Sequence, residues 1–420
     1  MKLNLNFSNL KEHDFDTREF QKKIKEIHEY LHSEENAAGL GWVSYPENYD
    51  KKEFNKILKL AKEIEQNADA LLVVGIGGSY LGAKAGIDML SNHKNKVEVV
   101  FAGTSFDYTD LAEKLDYLKD KNVYVNVISK SGTTVEILTA LNFVERFLKN
   151  KYKTEYKKHL IFTTDKTNGY LRERANLEGF EALAVPENIG GRFSVLSAVG
   201  MLPFAVAGLN IKKIIEGAYL AYNDLLTGTI ELNPAYKYAI YRFLINKKLG
   251  KKVELFASFS TKLSSFGNWL EQLFNESEGK DRKGLFVSSL TYSTDLHSMG
   301  QFIQQGSPIV AETFIDIKNS AKDNTLTNIP LSSPIKFLDG KTMSEINRAG
   351  FDGTIKAHTE ADVPIAILEF DDINEEVYGY MVYFFELACA TSGLLLGVNP
   401  FNQPGVEQYK AYMKHFLKNN

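Results

Sequence analysis

The sequence predicts an α/β protein in which helices cover mainly parallel sheets, arranged as two successive units. Three observations carry that expectation. Short apolar runs alternate with amphipathic stretches at the spacing of βαβ units. Several of the runs end in glycine- or hydroxyl-rich turns that lead into helical patterns, as in GIGGS (Gly75 to Ser79) and SKSGTT (Ser129 to Thr134). The length, 420 residues, exceeds one ordinary small domain and suits two.

Taken in order, residues 17–36 read as an amphipathic helix, with Phe20, Ile24, Ile27 and Leu31 near helical spacing. GWVSYP (Gly41 to Pro46) breaks the pattern, and 51–67 gives a second amphipathic helix. Leu71 to Val74 is short and apolar throughout, the mark of a buried strand. Strands follow at Val97–Phe101, Val123–Ile128 and His159–Thr163, with helices over 107–119 and 136–148 between them. That alternation calls for right-handed crossovers in a parallel sheet. PENIGGRFS (Pro186 to Ser194) is a glycine-rich connection before an apolar helix. A second α/β region places strands at Val253–Ser260 and Gly284–Ser289 around a helix over 265–275. Beyond Ile335 the signals weaken, apart from one apolar core helix over 377–396.

Composition narrows the class of protein. The formal net charge is 49 − 53 = −4, whereas a nucleic-acid binder usually carries a basic surplus. Hydrophobic residues make up 44% and charged residues 24%, a globular balance. With Cys389 as the one cysteine, no intrachain disulfide can form. MKLNLNFSNLKEHDFD lacks the apolar core of a signal peptide, and no run of 18 apolar residues exists. The expectation is a cytoplasmic protein without membrane or nucleic-acid partners.

GIGGS raises a choice between a dinucleotide and a sugar-phosphate ligand. A dinucleotide fingerprint needs its third glycine at position 80, which is Tyr80, and an acidic residue after the next strand, which is missing. The loop suits either a sugar contact or a tight turn that needs small residues. SKSGTT offers the hydroxyls of Ser129, Ser131, Thr133 and Thr134 at a helix start, with Lys130 as added positive charge. Such a loop can surround a phosphate; the plainer reading is a capped helix start. It is not a P-loop. Arg192 follows two glycines and precedes an apolar run. In NWLEQLFNESEGK, Gln272 and Glu276 share a helix face, and Glu276 could be a base or simply a solvated acid. His297 lies in a polar stretch, and FNQPGVEQYKAY carries Gln403 and Lys410.

These six stretches, in this order, resemble the bacterial glucose-6-phosphate isomerase (phosphoglucose isomerase) family, and the likeness covers most of the chain. GGRFS with its apolar tail and LFNESEGK resemble family signatures. The resemblance implies two sugar-isomerase (SIS) type three-layer α/β/α domains. The smaller would span 51–205 and the larger 206–420, with 1–50 packed on it. It implies a homodimer with shared active sites and no cofactor or metal. It assigns the 6-phosphate to Ser129, Lys130, Ser131, Thr133 and Thr134, and the sugar pocket to Gly78 and Ser79. Gln272 and Gln403 would orient the sugar. Glu276 would shuttle a proton between C2 and C1, and Arg192 would face the enediolate. His297 and Lys410 would open the ring, with His297 reaching in from the partner. Tyr80, Ala83 and Pro404 depart from the larger eukaryotic relatives.

Three rival readings remain at this level. HEYLH (His28 to His32) fits the zinc-protease pattern H-E-x-x-H, but His13, His93 and His159 sit in unrelated contexts and supply no convincing third ligand. A non-catalytic sugar-phosphate sensor would need the phosphate loop without the base. An isomerase of another sugar phosphate, mannose 6-phosphate included, would look the same.

Overall fold

The structure is a computed structural model that describes residues 5–8, 16–33, 39–91, 96–319 and 322–419. The described residues form ten strands in two five-stranded sheets. They are β1 (Leu5–Ser8), β2 (Ala70–Val74), β3 (Glu98–Ala102), β4 (Val123–Ile128), β5 (Leu160–Asp165), β6 (Glu181–Val185), β7 (Val253–Ser258), β8 (Phe286–Thr291), β9 (Val310–Ile317) and β10 (Ile365–Phe370).

The first sheet runs β3-β2-β4-β5-β6, parallel throughout, with Leu72 opposite Val125 and Val74 opposite Val127. Both of its faces are covered, which is why its central strands are largely apolar, β2 without a break and β4 interrupted by Asn126, whose side-chain oxygen accepts from Thr163 Oγ1 at 2.8 Å. Leu71, Val73, Tyr124, Ile128 and Ile161 face a core shared with the second sheet. Leu72, Val74, Val125, Val127 and Phe162 face a separate core, closed off by the helix Val135–Tyr152, whose Ile137, Leu141 and Val144 are buried there. The second sheet runs β1-β10-β9-β7-β8; only β1 is antiparallel. Phe256, Val287 and Leu368 of this sheet enter the shared core, and Leu255, Phe314 and Ile367 point away from it. The helix Glu375–Leu395 runs through the shared core with every residue from Val377 to Gly393 buried.

Sequence and structure agree closely where a cap or glycine turn punctuates the chain. Helix Lys51–Asn67 begins where Asp50 accepts from the N–H groups of Lys52 and Glu53. Strand β4 falls on the expected residues. The first helix is shorter than expected: it ends at Leu31, and 34–38 lie outside the described residues. The weak region past Ile335 holds helix Met343–Glu360 and β10, and β9 was not foreseen. In β9, Glu312, Thr313 and Asp316 are buried among apolar residues, which masks the strand pattern. Each is paired: Glu312 with His358 at 2.6 Å, Thr313 with Glu254 at 2.7 Å, and Asp316 with Arg348 at 2.8 Å.

Candidate active site

In the first sheet the chain leaves β2 for β3 on one side, and β4 lies on the other. Strand order therefore reverses between β2 and β4, and a ligand cleft is expected beyond their carboxyl ends. The turns at those ends are GIGGS and SKSGTT, and both line a cleft of ≈ 1200 Å³.

SKSGTT opens the long helix Val135–Tyr152. Thr134 occupies the N-cap position without a side-chain cap bond, so the first turn presents N–H groups toward the cleft. Gly132 holds the turn at φ +66, and a Cβ there would lie 2.7 Å from the backbone nitrogen of Leu171. Ser129 is buried, with its Oγ 3.0 Å from Thr134 Oγ1, while Ser131 and Thr133 are exposed to the cleft and joined at 3.1 Å. Lys130 also lines the cleft, but its ammonium donates to the carbonyls of Glu187 and Ile189 at 2.7 and 2.8 Å.

Gly77, Gly78 and Ser79 form the adjoining wall. Gly78 touches the arginine loop: a Cβ added there would lie 2.2 Å from Gly191 O and 3.1 Å from Arg192 N. The glycine thus permits close backbone approach, while the same turn faces the cleft.

Arg192 is 5% exposed and makes five hydrogen bonds. Its Nη1 donates to Glu276 Oε2 at 2.8 Å and Gln403 Oε1 at 3.1 Å, and Nε to Ser277 Oγ at 3.0 Å. Its Nη2 donates to the carbonyls of Pro400 and Asn402 at 2.9 and 3.3 Å. The guanidinium therefore ties the helix Ser264–Glu278 to the segment that carries Gln403. Glu276 stays one-third exposed toward the cleft, and its other oxygen accepts from Gln272 Nε2 at 3.3 Å. A partly exposed carboxylate beside a fixed cation can exchange a proton with a bound carbon acid while the cation faces the oxygen that gains charge.

Several supports carry no sequence signal strong enough to single them out. Ser277 is one. Lys280 is another: its ammonium donates to the carbonyls of Glu276 and Ser277 at 2.9 and 2.7 Å, capping the helix end. Burial, with Arg192 nearby, brings the Lys280 pKa down to about 8. Fully buried Arg242 pairs with Glu278 at 2.8 Å and with Glu254, and lies 4.0 Å over the Phe274 ring. A basic residue just after an acidic helix end was the available sign for Lys280; nothing local marks Arg242.

Lys410 lines the cleft from the helix Glu407–Asn419. Its ammonium donates to Glu407 at 2.8 Å, and that bond raises its pKa above the ordinary value. His297 is not brought to the cleft of its own chain. It ends the short turn Thr294–His297 after β8, an edge strand of the second sheet, and is exposed.

The histidines of HEYLH are engaged in protein contacts rather than converging with a third ligand. His28 Nδ1 lies 2.8 Å from the Tyr236 hydroxyl, and His32 Nδ1 is 2.9 Å from His28 O. Burial, then the neighbouring His32, lowers His28 to about 4. His159 stacks on Tyr152 elsewhere, and His13 and His93 lie outside the described residues. Among the described residues no group of three or more His, Cys, Asp or Glu is placed to hold a metal ion. No helix among them is long and apolar enough to cross a membrane.

Two doubly wound sheets around a shared core, with a cleft at a switch point, define an α/β protein of the sugar-isomerase class. The phosphoglucose isomerase family model matches residues 59–420. A glucose-6-phosphate isomerase from Clostridium tetani is 44% identical, covering 98% of this chain and 95% of its own. A hypothetical protein from Thermus thermophilus superposes with a TM-score of 0.90 at 27% identity, covering 99% of this chain and 100% of its own. A glucose-6-phosphate isomerase from Chlamydia trachomatis has a TM-score of 0.82 at 20% identity over 99% and 88%, a likeness of fold. The chain belongs to the phosphoglucose isomerase family.

Proposed function

We propose that this isomerase interconverts glucose 6-phosphate and fructose 6-phosphate through a cis-enediolate after ring opening, in glycolysis and gluconeogenesis. The observation that carries the reading is the Arg192–Glu276 ion pair facing a cleft whose other wall is the uncapped, hydroxyl-rich start of helix Val135–Tyr152. The phosphate sits against Ser129, Ser131, Thr133, Thr134 and the helix N-terminus, remote from the reacting carbons, and its binding energy positions C1 and C2. Gly78, Ser79, Gln272 and Gln403 orient the sugar.

With the ring open, the Glu276 carboxylate takes the proton from C2 and the electron pair moves onto O1, giving the enediolate. Arg192 faces the new negative charge. A proton passes from O2 to O1, Glu276 returns its proton to C1, and the carbonyl stands at C2. The protein works as a cytoplasmic homodimer. Lys410 and His297 of the partner subunit open the ring. The smaller domain spans 51–205; the larger spans 206–420 with 1–50 packed against it. These residue types perform every step without a metal or cofactor.

Glu276→Gln keeps the side chain's size and removes the base. It should retain fold and phosphate binding and lose roughly 10²–10⁴ of turnover. Solvent-hydrogen exchange at the substrate carbon, followed beside net isomerisation of glucose, mannose and fructose 6-phosphates, reads the step directly. Exchange and turnover at the unmodified rate would sink the assignment.

A further inference from the structure

Lys130 is the second residue of SKSGTT, between Ser129 and Ser131, yet its charged end is turned to the neighbouring loop. The side chain crosses to the neighbouring loop and donates to Glu187 O at 2.7 Å and Ile189 O at 2.8 Å. Its own backbone is held as well: Lys130 O accepts from Asp165 N at 3.1 Å and from Thr164 Oγ1 at 3.3 Å. Burial lowers its pKa from the ordinary value, with Asp165 and Glu187 opposing that shift. Glu187 and Ile189 belong to the segment that leads into Arg192. A second tie, Thr167 Oγ1 to Glu187 Oε1 at 2.6 Å, runs to the same segment from the wall beside β5.

We propose that Lys130 is a positioning residue that couples anion occupancy of the SKSGTT loop to the placement of Arg192. The idea rests on that loop being the phosphate site. An anion that orders Ser131 and Thr133 fixes the Lys130 backbone. The ammonium then fixes two carbonyls three and five residues ahead of the guanidinium. Two neutral carbonyl acceptors oriented on one ammonium occupy most of its donor capacity. Lys130 thus contributes to phosphate affinity only through its charge at a distance. Its larger effect falls on the step that Arg192 serves.

The test uses the full chain and inorganic phosphate as probe. Phosphate affinity is measured by calorimetry, and amide hydrogen exchange is followed in the segment 186–193. In the unmodified protein phosphate should slow exchange in that segment. Lys130→Met should bind phosphate within about threefold of the unmodified protein, lose the protection, and lower kcat by about tenfold or more with little change in KM. Lys130→Arg, which can reach the same carbonyls, should restore part of the protection.

A drop in phosphate affinity of about tenfold or more in Lys130→Met, as expected for a direct charge-assisted contact, would overturn the proposal. So would protection that survives in Lys130→Met, or its absence in the unmodified protein, a result that needs no variant to fold. Ser131→Ala separates the two levels. If phosphate binds the unmodified chain and Ser131→Ala leaves that affinity unchanged, the assignment of the loop fails and this inference falls with it. If Ser131→Ala weakens phosphate while Lys130→Met keeps the protection, the loop assignment stands and only the coupling is wrong.

Discussion

Replacing Gly78 by alanine should damage catalysis through the backbone rather than through the cleft. The new Cβ would lie 2.2 Å from Gly191 O, 2.6 Å from Gly191 C and 3.1 Å from Arg192 N. Ordinary nonbonded contact lies near 3.5 Å, so the two loops must part by about 1 Å. All three contacts are main chain, and no flexible side-chain end can swing away. Gly78 is not at positive φ, so alanine's own backbone preference is not the obstacle. Its entropic benefit, about 0.4–1 kcal/mol, is smaller than the about 1–3 kcal/mol that overpacking usually costs. Arg192 begins 2.8 Å from Glu276, and a shift of about 1 Å carries that bond beyond hydrogen-bond range. Misplacement of that size costs about 10² in rate. The assay is kcat for glucose 6-phosphate beside thermal unfolding, with Gly191→Ala as control, since a Cβ there meets nothing within 4 Å. Gly78→Ala that matched the unmodified protein in both kcat and melting temperature would refute this account of the turn.

Other perturbations test different parts of the molecule. Arg242→Leu leaves Glu254 and Glu278 buried without their cation and should cost about 3–5 kcal/mol in chemical denaturation; a loss below about 1 kcal/mol would show that the pair does not anchor the helix. Glu386 is fully buried, neither of its carboxyl oxygens has a hydrogen-bond partner, and burial holds its pKa well above the carboxylate range. The folded state keeps it protonated while the unfolded chain releases the proton, so stability is lost as pH rises above the unfolded value, by up to about 1.4 kcal/mol per pH unit, until the folded pKa is reached. Glu386→Gln should flatten that slope in urea unfolding followed across the neutral range; equal slopes would be inconsistent with a buried neutral acid. For the shared site, light scattering should give twice the 47.3 kDa chain mass. Inactive Glu276→Gln and His297→Ala chains, mixed and reassembled, should recover about a quarter of the activity, because half the dimers are mixed and each holds one intact site; no recovery would place His297 outside the partner's site.

Much of the fold was legible because local and tertiary preferences agree. The first sheet is covered on both faces, so β2 is an uninterrupted apolar run and β4 is apolar but for Asn126, and each ends at a turn rich in glycine or hydroxyl residues. β9 was illegible for the opposite reason. Glu312 and Thr313 are buried at 0% exposure, and what makes them tolerable lies far away in sequence, in His358, Tyr292 and Glu254. A reading by periodicity treats a polar residue as solvent-facing; long-range pairing reverses that meaning. Helix Met343–Glu360 buries little beyond Phe351, Thr354 and His358, so its apolar stripe is thin.

The candidate site divides along the same line. Residue types at the cleft could be proposed from sequence because each stretch carries its chemistry locally: hydroxyls at a helix start, an acid and an amide four apart on one helix. Direction could not. Lys130 sits among those hydroxyls and resembles a phosphate ligand, yet its ammonium is held by carbonyls 57 and 59 positions away. Arg192 looked like a lone cation, and the five acceptors that fix it come from positions 276, 277, 400, 402 and 403. Those partners decide how each charge acts. An arginine with all five bonds to protein arrives preorganised and has little freedom to lose when charge develops beside it, which is the condition under which electrostatic stabilisation is strongest. Its placement therefore depends on the loops that hold it, and a substitution such as Gly78→Ala, which adds no group to the chemistry, can disable the reaction as surely as removal of a ligand.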